Sequence, residues 1–278
     1  MAIPIINNWQ RYFSNPDEGL GSSYERVILN RKLRKIAREY KITNVLEAPI
    51  FGFTGLSGIN SVSLAKMGCN ITLLDHNEDR LKLVQYIWKL IGQQVAFRMQ
   101  NSYNFLDFED DYFDMSWNFS ALWFVADLAP FINELTRVTK KVIFICVPNR
   151  YGLGYLSQKY STKMENIPDF YPKNIIPQNF VPLFQQRDWK LTESNYIDCP
   201  PWPDIGMPKL EFLKKMKLDK ILKTKSESIS ILGYYQDKDP YFAYKMLKYS
   251  WLENYAPKFF KSIWAHHKFY LFVPQRQI

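Results

Sequence analysis

From Thr43 to Pro148 short apolar runs alternate with longer stretches whose apolar residues recur at helical spacing, and this alternation constrains the fold more than any other feature of the chain. TNVLEAP, CNITLLD, QVAFRMQ, YFDMSWNF and KVIFICVP read as five buried strands. Between them, GINSVSLAKMG reads as a helix stopped at Gly68, NEDRLKLVQYIWKLIG as one stopped near Gly92, and DLAPFINELTRVTK as a third. Strands joined through helices must run parallel with right-handed crossovers, which places the chain in the doubly wound α/β class. A further helix is expected over roughly residues 22–41, opened by a capping box of Ser22 and Glu25.

Beyond Pro148 the pattern changes. IPQNFVPLFQQRD suggests a helix, WKLTESNYID a sixth strand and HHKFYLFVP a seventh, so a seven-stranded, mostly parallel sheet is expected. The residues between the last two strands are too many for an ordinary loop, and they carry prolines, aromatics and the lysine-rich KLEFLKKMKLDKILKTK; an inserted helical cap is the natural reading. The expected division is an N-terminal segment and helix over 1–41, a Rossmann-like core over 42–198, a cap over 199–263 and a final core strand over 264–278.

At 278 residues with 47% hydrophobic content the chain can bury a large core. No window approaches the ~18 apolar residues of a membrane span, and MAIPIINNWQ lacks the layout of a signal peptide, so a cytoplasmic protein is expected, with peripheral membrane contact left open. Cys69, Cys146 and Cys199 form no C-x-x-C pair, and adjacent His266 and His267 on a strand would face opposite ways, so no metal site is expected. The net charge of +9 lies mostly after residue 150, which suggests a solvated helix face or, as a sharper alternative, a basic surface for nucleic acid or lipid headgroups.

The turn after the first strand narrows the ligand. Its glycines, Gly52, Gly55 and Gly58, follow G-x-x-G-x-x-G with Phe51 and Phe53 beside the first, a poor fit to a dinucleotide pyrophosphate, and no G-K-[ST] follows to make a P-loop. What remains is Glu47 at the tip of the first strand, a glycine-bearing loop, and Asp75 at the tip of the second, where a carboxylate can accept from both ribose hydroxyls. Glu47 can reach an ammonium group, and the start of the helix at Gly58 offers free N–H groups to a carboxylate. A ligand with a ribose, an amino-acid tail and no phosphate meets these demands, and S-adenosylmethionine is such a ligand.

VLEAPIFGFTGLSGINSVSLAKMG with ITLLDHN, then QNSYNF, then FDMSWNFSALWFVAD, resembles the class I S-adenosylmethionine-dependent methyltransferases over roughly residues 25–150. The resemblance implies that Glu47 is the acidic residue of the first motif, that Gly55 and Gly58 line the methionine part and that Asp75 holds the ribose. It also implies that residues 100–102 lie beside adenine and that Asn118 and Phe119 sit near the sulfonium. The cofactor set expected is therefore Glu47, Gly52, Phe53, Gly55, Gly58, Asp75, His76, Asn101, Ser102 and Asn118. The chain departs from the family pattern in a longer first loop, in Leu56 where a middle glycine is usual, and in Asn101 where an aspartate is usual.

In-line methyl transfer needs the acceptor held close and collinear and demands no fixed triad, so no catalytic residue is assigned. Phe119, Trp123, Trp202 and Asp204 are the candidates for acceptor contact. The CPPW turn at 199–202 resembles the D/N-P-P-aromatic turn of amino-methylating enzymes, but it follows the sixth strand rather than the fourth. A methyltransferase acting on a small-molecule or lipid/glycan acceptor is the leading expectation. The alternatives are an RNA or protein methyltransferase using the basic half, and a non-catalytic binding subunit that keeps the fold.

Overall fold

The structure, a computed structural model, describes residues 10–14, 19–52, 55–161, 167, 169–202 and 230–275. Phe53, Asp204 and the lysine-rich stretch at 209–225 lie outside the described residues.

Seven strands form one sheet: β1 Asn44–Glu47, β2 Asn70–Asp75, β3 Ala96–Met99, β4 Phe113–Phe119, β5 Thr139–Pro148, β6 Trp189–Ile197 and β7 His267–Pro274, in the order β3-β2-β1-β4-β5-β7-β6. β7 runs antiparallel to both β5 and β6, and the other pairs are parallel. The doubly wound sheet expected from the alternation is present, with the antiparallel pairing confined to its far end.

Strand position follows from the side chains. All seven residues of β4 are buried in mid-sheet, the polar Asp114, Ser116 and Asn118 included, whereas β3 at the edge is half-buried or exposed. Along β5, Val142, Phe144 and Cys146 face one core, and Ile143, Ile145 and Val147 face the other. The first core is covered by α1 (Gly19–Glu39), α2 (Val62–Ala65) and α3 (Glu78–Ile91); the second by α4 (Leu128–Val138) and by α6 (Pro177–Gln185), which follows α5 (Leu153–Ser161). The described part of the 199–263 insertion holds four short helices, α7 (Ile231–Tyr235), α8 (Phe242–Leu247), α9 (Trp251–Tyr255) and α10 (Lys258–Trp264). Tyr235, Phe242 and Met246 from the first two enter the α1 core, and the Tyr235 hydroxyl lies 3.0 Å from Asn30 Nδ2 on α1.

Three elements differ from the sequence reading. α1 begins at Gly19, so Ser22 falls inside its first turn rather than capping it. The helix expected over 58–68 contracts to Val62–Ala65, because Asn60 and Ser61 spend their side chains on β1 instead of on a helix start. α5 was not anticipated. By contrast, α3 is bounded as its end residues suggest: the Asn77 side chain accepts from Arg80 N at 2.8 Å, and Gly92 adopts the left-handed conformation at φ 75°.

Candidate cofactor and acceptor site

Register places the strand tips side by side. Glu47 pairs with Leu73 on one flank and Trp117 on the other, so β1, β2 and β4 end at one carboxyl edge, where open α/β sheets bind ligands.

The β1 tip is a closed polar network. Glu47 is 1% exposed; its Oε2 accepts from Ser61 Oγ at 2.5 Å and its Oε1 from Asn60 Nδ2 at 3.5 Å. Trp117 Nε1 donates to Ser61 Oγ at 3.1 Å from β4. Buried Arg26 reaches over from α1, donating to Asn60 Oδ1 and to the Leu56 carbonyl. Burial pushes the Glu47 carboxyl up to about 7, against the opposing pull of Ser61, Asn60 and Arg26.

This shift has a sign that can be checked. A folded-state value above the ordinary 4.5 means that the folded chain binds the proton more tightly than the unfolded one. The contribution is full below pH ~4.5 and is lost as pH rises through about 7. Between pH 4.5 and 8 the wild type should therefore lose on the order of 3 kcal/mol relative to Glu47→Gln, measured by urea unfolding across that range. Parallel pH profiles for the two proteins would refute the assignment.

At the β2 tip, Asp75 is fully buried. Arg80 holds it with both arms, Nε to Oδ2 at 2.8 Å and Nη2 to Oδ1 at 2.6 Å, and Asn77 N donates to Oδ1 at 2.9 Å. The guanidinium in turn lies 4.0 Å from the Phe51 ring centroid. His76 Nδ1 lies 3.0 Å from the Tyr103 hydroxyl. Asn101 and Ser102 are exposed after β3, and Ser102 Oγ accepts from Asn104 N at 3.1 Å.

The first loop is pressed against the β4 tip. A Cβ at Gly52 would collide with the Phe119 carbonyl oxygen, so only glycine permits this approach. Gly55 is buried in the same loop with φ 42°. Gly58, at φ 72°, packs on α3: an added Cβ would strike the Val84 methyls, and its carbonyl accepts from Trp88 Nε1 at 2.7 Å. Asn118 Nδ2 donates to the Ala48 carbonyl at 3.2 Å, while its Oδ1 and the nearby Ser120 Oγ are buried without a hydrogen-bond partner among the described residues.

S-adenosylmethionine fits this edge unevenly. Glu47 and the two unpaired oxygens at the β4 tip suit a polar, ammonium-bearing ligand. Asp75 suits a ribose only once Arg80 gives up part of its hold, since three of its roughly four lone-pair sites are taken.

On the acceptor side, the Phe119 ring lies 4.5 Å from that of His267, centroid to centroid. Trp123 is fully buried, donates Nε1 to the Ser120 carbonyl at 2.7 Å and packs on Phe170, so it supports the edge from within. Trp202 is buried edge-on against Tyr24 and Tyr249, between α1 and the insertion.

Sequence reasoning missed a group of ionisable side chains at the end of β6. Asp198 Oδ2 lies 2.7 Å from His266 Nδ1, and His267 Nδ1 lies 3.6 Å from both Asp198 Oδ2 and Glu25 Oε2. His266 stands one residue ahead of β7, so strand alternation does not separate it from His267. Burial works to raise Asp198, but the two imidazoles outweigh it and hold the carboxyl well below its usual range. His267 is lowered by burial, and nearby Glu253 is pushed up to about 7, also by burial.

Residues 53–145 match a family model described as a methyltransferase domain. No curated protein matches the sequence. Among solved structures, the complex between the Haloferax volcanii Trm112 methyltransferase activator and a methyltransferase aligns over 96% of this chain and 98% of that one, at 13% identity and a TM-score of 0.54. The YcgJ protein of Bacillus subtilis aligns over 89% and 99% at 10% identity, and the [4+2]-cyclase SpnF over 89% and 82% at 11% identity, each with a TM-score of 0.50. Such likeness concerns the fold, and the cyclase illustrates that the fold alone does not dictate the reaction. The domain match runs from the first loop into β5 of a β3-β2-β1-β4-β5-β7-β6 sheet, so the chain carries a methyltransferase domain over residues 53–145 on a fold similar to that of class I methyltransferases.

Proposed function

We propose that the chain is an S-adenosylmethionine-dependent methyltransferase acting in the cytoplasm on a small-molecule or lipid/glycan acceptor. The observation that carries this reading is the convergence of Glu47, just ahead of the matched domain, with Asp75 and Asn118 inside it, on one carboxyl edge. When bound, the donor supplies an electrophilic methyl group on a sulfonium. Glu47 and the Asn118 amide hold its methionine end, Asp75 its ribose, and His76, Asn101 and Ser102 flank its base. Phe119 and Trp202 shape the acceptor side, and the insertion shields it from water. The rate then comes from holding the acceptor in line with the methyl carbon.

A second reading, a non-catalytic subunit, is favoured by one observation, the saturation of Asp75 by Arg80 beneath Phe51. Calorimetry with S-adenosylmethionine and S-adenosylhomocysteine separates the two. One-site binding of both, followed by transfer of labelled methyl to a component of a small-molecule, lipid or glycan mixture, is the expected result. The absence of binding heat for either ligand would discard the enzymatic reading and leave the subunit. Retained binding with transfer only to RNA, at a steep salt dependence, would move the acceptor to nucleic acid.

A further inference from the structure

The cluster at the end of β6 has features that the methyl-transfer reading does not use. Asp198 and His267 are 2% and 3% exposed, yet among the described residues Asp198 Oδ1 and His267 Nδ1 have no hydrogen-bond partner. The buried Tyr24 hydroxyl, close enough to sense the charges of Asp198 and Glu253, is likewise without one among the described residues. Buried polar atoms are nearly always satisfied, and a group of unsatisfied ones on facing elements calls for a ligand that supplies the missing contact.

The distances say what kind. Donor atoms of Glu25, Asp198 and His267 all lie within 4.8 Å of one another. The two gaps of 3.6 Å from His267 Nδ1 are too long for a hydrogen bond. An ion about 2.1 Å from each atom of such a pair would see them at roughly 120°, close to the tetrahedral angle. The gap is therefore wide for a shared proton and suitable for a shared cation.

We propose that Glu25, Asp198 and His267 form a site for one divalent transition-metal ion. Two carboxylate oxygens with one imidazole nitrogen select the zinc, manganese and ferrous class over magnesium or calcium, which prefer all-oxygen shells. His266 is the supporting residue: its Nδ1, 2.7 Å from Asp198 Oδ2, orients the carboxylate. Three protein ligands would leave a fourth position for water or a small ligand. The ligands come from α1, the end of β6 and the start of β7, so the ion would also fasten the N-terminal helix to the antiparallel end of the sheet.

The test uses the full chain, stripped with a chelator and titrated with Zn²⁺ by calorimetry and with Co²⁺ by visible absorption. One ion per chain is expected, with the intense bands of a low-coordinate cobalt site, and with a rise in melting temperature on adding zinc. His267→Gln should weaken binding at least about 100-fold and abolish the zinc-dependent rise. Glu25→Gln, at the partly exposed ligand, provides the same test should His267→Gln not fold, with an expected loss of about 10- to 100-fold. No stoichiometric uptake by the wild type, or wild-type affinity in a folded Glu25→Gln protein, would overturn the site. None of these readouts involves the methyl donor, so failure here is separate from failure of the methyltransferase reading.

Discussion

Asp75→Ala should destabilise the protein by about 3–5 kcal/mol, a loss readily measured as a shift of the urea midpoint. The cause is the partner left behind: the Arg80 side chain, only 4% exposed, would keep its charge while losing both hydrogen bonds to the carboxylate. The same substitution should weaken the methyl donor by about 1–3 kcal/mol if the carboxylate also serves the ribose. The two effects can be separated. In Asp75→Leu combined with Arg80→Met the buried charges leave together, and most of the stability should return because an apolar pair of similar volume is no worse than a buried ion pair. Donor affinity should remain low in that double variant. Normal affinity there would show that the carboxylate only anchors Arg80.

Trp123→Ala should cost a comparable ~3–5 kcal/mol, the range for a large aromatic deleted from a packed core. The ring is fully buried against Phe170, and its N–H bonds the carbonyl of Ser120, a residue held at φ 51° at the end of β4. Trp123→Phe should retain most of the packing and lose about 1 kcal/mol with that hydrogen bond. If Trp123 instead touches the acceptor, the alanine variant will lose turnover at temperatures where it is still folded and the stability change will be small. Circular dichroism melts beside a transfer assay distinguish the two.

The strands of the core were legible because a strand covered on both faces is mostly apolar: KVIFICVP announces its burial directly, while FDMSWNF shows it only through the large apolar residues that alternate with Asp114, Ser116 and Asn118. The strand tips were legible for the same reason, since Glu47 and Asp75 are the first charges to end those runs. What the sequence withheld is the commitment of each carboxylate. Arg80 is one of several charged residues in NEDRLKLV, and only the direction in which α3 leaves its Asn77 cap turns it back onto Asp75. Arg26 is similar. It sits on the buried face of α1 between Tyr24 and Val27, the one charge on a face whose other polar members are Ser23 and Asn30, and that misplacement was the available signal. The contraction of the 58–68 helix was not readable, because Asn60 and Ser61 are compatible with a helix start until Glu47 is placed within their reach. Asp198 is far in the chain from the adjacent His266 and His267 and meets them only when β6 and β7 pair.

The grip of Arg26 on the Leu56 carbonyl and on Asn60 makes the N-terminal helix part of the foundation of the loop after β1 rather than an appendage in front of the domain. A chimera that borrowed this helix from another member of the fold would strand a buried carbonyl and an amide at the base of the loop. The core domain is thus not a cassette that can be lifted out at β1, and its minimal functional unit begins with α1.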